Sequence, residues 1–422
     1  MKKIVMKTIP LKEYDFLQCK ESARENYISP TTFTQLEKFV LDNQDYAQYL
    51  KLTTKPHYGK ILQAQNYVGL IQTKDGTTIE ILPKIGDKET LLKMLKTLKK
   101  SPFKSINTAH LKTRKMPLLE IFISMFLEEL AKLIQRGIKS GYITKDENLK
   151  FLKGKLIMSQ HIRQNFIHKE RFYVEYQEWL CDRVENRLIK TTLNYLYKRS
   201  RSNTNQQRIR EFLFVFDEIG MSKNIKSDFD KVHLDRQMRD YEQVLLWCRT
   251  FLLRNSFTPY RGSDVAFALL FDMNMLFESY VGAYLKKYLH GSVHLQHHRH
   301  YLAYTDEGNE KFKLRPDIVI DEGKIIADTK WKILSEEKTN NRISQSDLYQ
   351  MFAYGKKYES EQLFLIYPKD KMEKHEAYDF YQEAAKSLPL IILFFDLKKD
   401  FSDDGFALNF EPIVLEISTH AL

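Results

Sequence analysis

Hydrophobic and polar positions change their rhythm along this 422-residue chain. In the first hundred residues they alternate in short runs. Lys60–Leu82 reads as two strands, ILQAQNYVGLIQT and TTIEIL, on either side of Asp75-Gly76. Both residues of that pair tolerate positive φ, so the spacing predicts a β-hairpin. From Glu89 to Lys100 the pattern becomes a lysine-rich helix whose charges suit a solvated face. Between 117 and 136, Leu118, Phe122, Met125, Phe126, Leu130, Leu133 and Ile134 recur every three or four positions. That spacing predicts an amphipathic helix fading near Gly137 and stopping by Gly141. Helical patterns follow at 180–198, 206–218 and 234–253, with one alternating stretch, RFYVEY, at 171–176.

From about 258 the order of elements changes. A helix at 272–290 precedes strands at 293–304, 312–320 and 324–334, then a helix at 346–358. A strand at 363–367, a helix near 374–387 and a buried strand at 390–395 complete the series. This order predicts a mixed sheet with helices on its faces. The expected fold is a multidomain α+β or α/β chain: β-rich over 1–100, mainly helical over 101–257, and a mixed-sheet domain over 258–422.

Composition adds constraints. Hydrophobic residues make up 43% and aromatic residues 13%, too many for a disordered chain. A net charge of +11 suits a polyanionic partner without specifying one. Cys19, Cys181 and Cys248 lie far apart without paired metal spacing, and read as reduced thiols. The start, MKKIVMKTIPLKEYD, lacks the apolar core of a signal peptide. Runs such as LIILFF at 390–395 fall far short of the ~20 residues that span a bilayer. A cytoplasmic protein without a membrane segment is expected. There is no G-x-x-x-x-G-K-[ST] loop, dinucleotide fingerprint or G-x-S-x-G elbow, so any nucleotide hydrolysis would belong to another protein.

The chemistry concentrates in Leu314–Lys332, LRPDIVIDEGKIIADTKWK. Glu322-Gly323 sits between two apolar runs and suits a two-residue hairpin loop. Ile320 would then pair with Ile325, and Asp317 would lie opposite Asp328. Lys330 would share the Asp328 face, with Lys332 on that face two residues later. Opposed carboxylates repel, and a divalent cation between them would relieve the repulsion. Such a cation polarises a phosphoryl oxygen and activates water, while a neighbouring lysine stabilises developing negative charge. A surface hairpin with scattered charges is the ordinary alternative; Pro-Asp upstream and the opposed register favour a site.

Two helices bear on this site. Glu278 shares a stripe with Val281 and Leu285, but polar Asn274 at i−4 and Gly282 at i+4 favour, from the helix alone, a helix-edge charge over a buried functional acid. Ser344 or Ser346 can cap the later helix, and Gln350 and Tyr354 lie at i, i+4 on one face. His294, His297, His298 and His300 have no Cys or acidic partner at zinc-like spacing, and a DNA-facing or solvated strand fits them better.

RPD, DTKWK and DLYQMFAYG together resemble the PD-(D/E)xK nuclease superfamily with the Gln-x-x-x-Tyr extension of its RecB-like branch. FDMNMLFESYV is similar to the opening helix of one group within it. That group is McrC, the nuclease subunit of the McrBC modification-dependent restriction system. YVGLIQTKDGTTIEILPKI at 67–85, ENLKFLKGKL at 147–156 and VEYQEWLCDRVENRLIK at 174–190 also resemble segments of that family. The resemblance implies metal ligation by Asp317 and Asp328, a catalytic Lys330, and Glu278 as the helix acid that completes the site. It implies that Gln350 and Tyr354 position DNA or the site. Asp328 stands where many superfamily members carry Glu. Mg²⁺ is the implied cofactor, with GTP used only through a partner. That partner would be a hexameric McrB-like AAA+ GTPase that recognises methylated or otherwise modified DNA, with the region 1–100 docking on it. The alternatives are a stand-alone restriction or repair nuclease, and a non-cleaving DNA-binding adaptor that activates a partner NTPase.

Overall fold

Asp75-Gly76 closes the first hairpin, as the alternation predicts. Tyr67–Thr73 pairs antiparallel with Thr78–Leu82, Ile71 opposite Ile79, and Gly76 takes φ 88°. The Asp75 carboxylate accepts from the Thr32 and Thr73 hydroxyls and from the Thr77 N–H, fixing the turn. Thr8–Lys12 lies parallel to Thr78–Leu82, and Val265–Asp272 lies antiparallel to Tyr67–Thr73. Gly69, at φ 129°, sits where a Cβ would fall 2.1 Å from the Leu269 carbonyl oxygen. Only glycine allows the two strands to approach this closely.

The computed structural model describes residues 7–19, 27–43, 49–99, 101–105, 116–253, 265–289, 292–334, 343–370, 377–381 and 387–398. They fall into two compact units, one drawn from 1–114 together with 261–422, the other from 115–260. The regions expected at 1–100 and 258–422 therefore share the first unit. No described helix is long and apolar enough to cross a membrane.

In the first unit, a second sheet orders Tyr27–Ile28, Phe16–Cys19, Gly59–Ala64 and Leu50–Lys55. The ILQAQNYVGLIQT run is thus two strands in different sheets, broken at Gln65-Asn66. The lysine-rich helix is Lys88–Lys96, with Asp87 and Thr90 forming a reciprocal cap. A six-stranded mixed sheet runs in the order Val293–Leu295, Ile318–Ile320, Ile325–Thr329, Gln362–Pro368, Pro389–Phe395, Ala377–Asp379. Its three middle strands from Ile325–Thr329 to Pro389–Phe395 are parallel, and the remaining pairs are antiparallel. Ile326, Leu363, Leu365, Leu390 and Ile392 pack with Met351, Tyr354 and Tyr358 of the helix Gln345–Tyr358. On the opposite face Phe277, Tyr280 and Tyr284 of the helix Met273–Tyr288 surround the Phe395 ring.

The expected helix near 374–387 is not formed where it is described. Ala377–Asp379 is an edge strand beside Pro389–Phe395. Residues 374–376 and 382–386 of that expectation lie outside the described residues. The strand expected over 293–304 divides into Val293–Leu295 and Tyr301–Tyr304, the latter paired with Glu310–Lys313 in a separate ribbon.

The second unit holds the helices Leu118–Arg136, Val184–Tyr197, Asn203–Val215 and Tyr241–Leu252. Phe122, Phe126, Trp247 and Phe251 form its aromatic centre. Glu120, only 5% exposed, accepts from Ser200, Asn205 and the backbone of Arg201 and Ser202, so its burial is compensated. This region is less helical than its sequence suggests. Phe172–Leu180 pairs with Gly141–Leu149 over nine positions and with Lys155–Leu156. Gly141–Leu149 contains no fully buried residue, which is why its polar sequence carries no apolar alternation.

Candidate active site

The loop Glu322-Gly323 sets the frame of the site. Glu322 (φ 60°) and Gly323 (φ 114°) take positive φ, and Lys324 N–H returns to the Asp321 carbonyl. Ile320 pairs with Ile325, Val319 with Ile326 and Ile318 with Ala327. The regular ladder stops one residue short of the expected Asp317–Asp328 rung. There Asp317 turns its Oδ2 onto Thr329, accepting the backbone N–H at 2.8 Å and the hydroxyl at 2.7 Å. In return, the Asp317 N–H donates to the Asp328 carboxylate. Asp317 is thereby tied to the residue after Asp328, and Asp328 to the backbone of Asp317.

Asp328 is 1% exposed. Its Oδ2 lies 2.6 Å from Lys330 Nζ, an ion pair without a well-directed hydrogen bond. Burial, then the Asp317 charge, pushes the Asp328 carboxyl up to about 7, against the pull of Lys330. Burial and the Glu278 charge push Asp317 up to about 6, opposed by the Thr329 hydrogen bonds. Glu278 is also raised, by burial and then by Asp328, while Gln296 Nε2 donates to its Oε1 at 3.0 Å. Burial and mutual repulsion thus disfavour the charged form of all three carboxyl groups, a cost that a cation beside them would relieve.

Lys330 Nζ also donates to Gln350 Oε1 at 2.9 Å. Gln350 Nε2 donates to Tyr354 Oη at 2.8 Å, and Tyr354 Oη donates to the Arg315 carbonyl at 3.1 Å. The i, i+4 pair on the helix Gln345–Tyr358 thus orients the lysine and ties it to the Pro-Asp segment. Ser344 is the helix cap, accepting from the Asp347 N–H. Asp347, absent from the sequence reasoning, is 7% exposed and binds Lys332 Nζ at 2.7 Å, with Lys330 at 4.0 Å. Its capping position three residues after Ser344 was the available signal. Lys332 does not extend the Lys330 strand face: the strand ends at Thr329, and Lys332 N–H folds back to the Lys330 carbonyl.

A cleft of about 480 Å³ opens on Asp317 and is lined by Glu278, Gln296, His298, Lys313 and Arg315. Lys313, Arg315 and Asp317 are alternate residues of one segment, which brings two cations and a carboxylate to the same wall. His298 stands in this cleft, whereas His297 Nδ1 is 3.0 Å from the Tyr358 hydroxyl. Among the described residues no three His, Cys, Asp or Glu side chains gather closely enough to enclose a metal. Asp317 and Asp328 fit a cation held by two carboxylates, with water and substrate oxygens completing its shell, as Mg²⁺ accepts. The observation that fits them to it is the buried Asp328 Oδ2, which receives no directed hydrogen bond.

Residues 62–368 match the model of a family described as McrBC 5-methylcytosine restriction system component. The fold is similar to a chain in a refined half-complex from a tetradecameric assembly of Thermococcus gammatolerans McrB AAA+ hexamers with bound McrC. That likeness has a TM-score of 0.67 at 20% identity and covers 94% of this chain and 97% of the other. A chain of the cryo-EM structure of the Thermococcus gammatolerans McrBC complex matches at 22% identity and TM-score 0.48, over 66% of this chain and 87% of that one. No curated protein matches the sequence.

Proposed function

The chain belongs to the family of McrBC 5-methylcytosine restriction system components, and from that premise we propose that it is the Mg²⁺-dependent endonuclease subunit of a complex that cuts modified DNA. One observation carries the reading: the hairpin register locks Asp317 against the Asp328–Lys330 segment, with the Lys330 ammonium 2.6 Å from Asp328 Oδ2.

Asp317 and Asp328 would hold the cation, which when bound would supply Lewis acidity and lower the pKa of water. The chain's own residues do the rest. Lys313 and Arg315 neutralise backbone phosphates at the mouth of the cleft and lead the strand to Asp317. Lys330, oriented by Gln350 and Tyr354, places positive charge where the attacked phosphate gains negative charge. Glu278, on the cleft wall, adds a carboxylate able to accept a proton or a water hydrogen.

The solved assembly of similar fold contains McrB AAA+ hexamers. A McrB-like AAA+ GTPase is accordingly the partner we assign, with recognition of the modified base placed on it and GTP hydrolysed there. The test is to purify the chain with its genomic-neighbour AAA+ protein and to assay methylated and unmethylated plasmid with Mg²⁺ and GTP. Cleavage of methylated plasmid alone is expected. Asp328→Ala should abolish cutting while partner binding and GTP hydrolysis persist, with circular dichroism reporting the fold. Cutting by Asp328→Ala at the unmutated rate would defeat the reading.

A further inference from the structure

Trp331 occupies the tip of the turn that ends the Lys330 strand. Lys330 N–H makes the last rung to the Ile366 carbonyl at 2.9 Å, and Lys332 N–H closes the turn on the Lys330 carbonyl at 2.8 Å. Nothing else in this turn is fixed by sheet pairing, yet Trp331 is only 3% exposed. Its polar contacts come from residues more than 240 positions earlier. The indole N–H lies 3.0 Å from both oxygens of Glu13, which is 4% exposed. The Trp331 carbonyl accepts Lys84 Nζ at 2.8 Å, and that ammonium stands 5.1 Å from the indole centroid.

Glu13 and Lys84 form a built pair. They follow the strands Thr8–Lys12 and Thr78–Leu82, which are parallel and end together at Lys12 and Leu82. Glu13 N–H continues the pairing to the Leu82 carbonyl, and Lys84 N–H donates to Glu13 Oε2 at 2.8 Å. Both side chains therefore leave one sheet edge at fixed positions and grip the two polar ends of one residue. A buried carboxylate and a half-buried ammonium are costly unless they are matched, and here each finds a partner on Trp331. Phe277, from the helix that carries Glu278, closes the other side of the indole at a centroid distance of 5.3 Å.

We infer that Glu13 and Lys84 are positioning residues for Lys330: by clamping the N–H and carbonyl of Trp331 they fix the backbone from which the catalytic ammonium projects. The inference rests on the nuclease reading above and extends it, since no part of that reading gave the N-terminal strands a role in cutting. A misplacement of about 1 Å at a reacting group costs up to about 100-fold in rate, which makes such a clamp worth retaining.

The test uses the full chain with its AAA+ partner. Glu13→Gln, Trp331→Phe and the double variant are assayed for kcat and KM on methylated DNA, with Lys330→Ala run beside them. The three tryptophans are labelled as 5-fluorotryptophan, and the ¹⁹F line that vanishes in Trp331→Phe is the reporter. Glu13→Gln should shift that line and lower kcat about 10-fold, with KM for DNA unchanged within about two-fold. The double variant should be no slower than the slower single variant, because both remove one interaction. Should Glu13→Gln fail to fold, Trp331→Phe, which keeps a ring against Phe277, carries the kcat and KM comparison, with a wild-type kcat again counting against the clamp. A wild-type kcat despite a shifted ¹⁹F line, or fully multiplicative losses, would overturn the clamp. If Lys330→Ala itself cuts at the wild-type rate, the nuclease reading falls first, so the two failures are distinguishable.

Discussion

Lys330 lies closest to the Asp328 carboxylate and the Gln350 amide oxygen, with Asp347 further off at 4.0 Å, whereas Lys332 binds Asp347 at 2.7 Å and Ser344. The two lysines are separated by a folded-back peptide, so they cannot substitute for each other. Lys330→Ala is expected to lower cleavage by about 10²–10³-fold, the range seen when a group aimed at developing charge is removed. Lys332→Ala should lose no more than a few-fold, as measured by initial rates on the same plasmid. Equal losses would instead mark a general basic patch. The acids and the lysine of the Leu314–Lys332 segment are legible in sequence because a two-residue loop fixes a register by counting. Thr329 and Asp347 were not, since a threonine beside an aspartate and a carboxylate in a capping position both have ordinary local explanations.

At the scale of elements, the Asp75 hairpin shows how a turn sequence becomes a pH-sensitive joint. Burial pushes the Asp75 carboxyl up, but donors from Thr32, Thr73 and Thr77 outweigh it and leave the group below its usual value. A depressed carboxyl stabilises the fold above the ordinary carboxylate range and loses that contribution as pH falls through the lowered value. Asp75→Ala should destabilise the protein by about 1–3 kcal/mol at pH 7 in urea melts. The gap to wild type should narrow as pH falls through and below the ordinary carboxylate range, and a gap independent of pH would contradict this origin. This hairpin was readable from Asp75-Gly76. The strand Gly141–Leu149 was not, because hydrophobic alternation records burial on one face and this strand has little. Ala377–Asp379 failed for a similar reason: all three residues are exposed at a sheet edge.

For the whole molecule, the discontinuous unit is the decisive feature, and no local pattern could announce it. VAFALLFD at 265–272, to which the sequence pattern assigns no strand, is a strand whose partner is Tyr67–Thr73. The fragment 258–422, expected from sequence to be one domain, leaves that strand unpaired and strips Trp331 of Glu13 and Lys84. Expressed alone, it should melt non-cooperatively or aggregate in thermal circular dichroism, while 116–253 retains its own aromatic centre. A cooperative melt of 258–422 at the full-chain temperature would refute this dependence. The same pairing has a consequence for synthesis on the ribosome. Thr73 emerges roughly 190 residues before Val265, its neighbour in the sheet. At about 5–20 residues per second, the first strands wait some 10–40 s for their partner, while the intervening chain has time to condense. Closing so long a loop makes this sheet a late event in folding, so nascent chains bring Glu13 and Lys84 to Trp331 only after the segment that carries Trp331 has emerged.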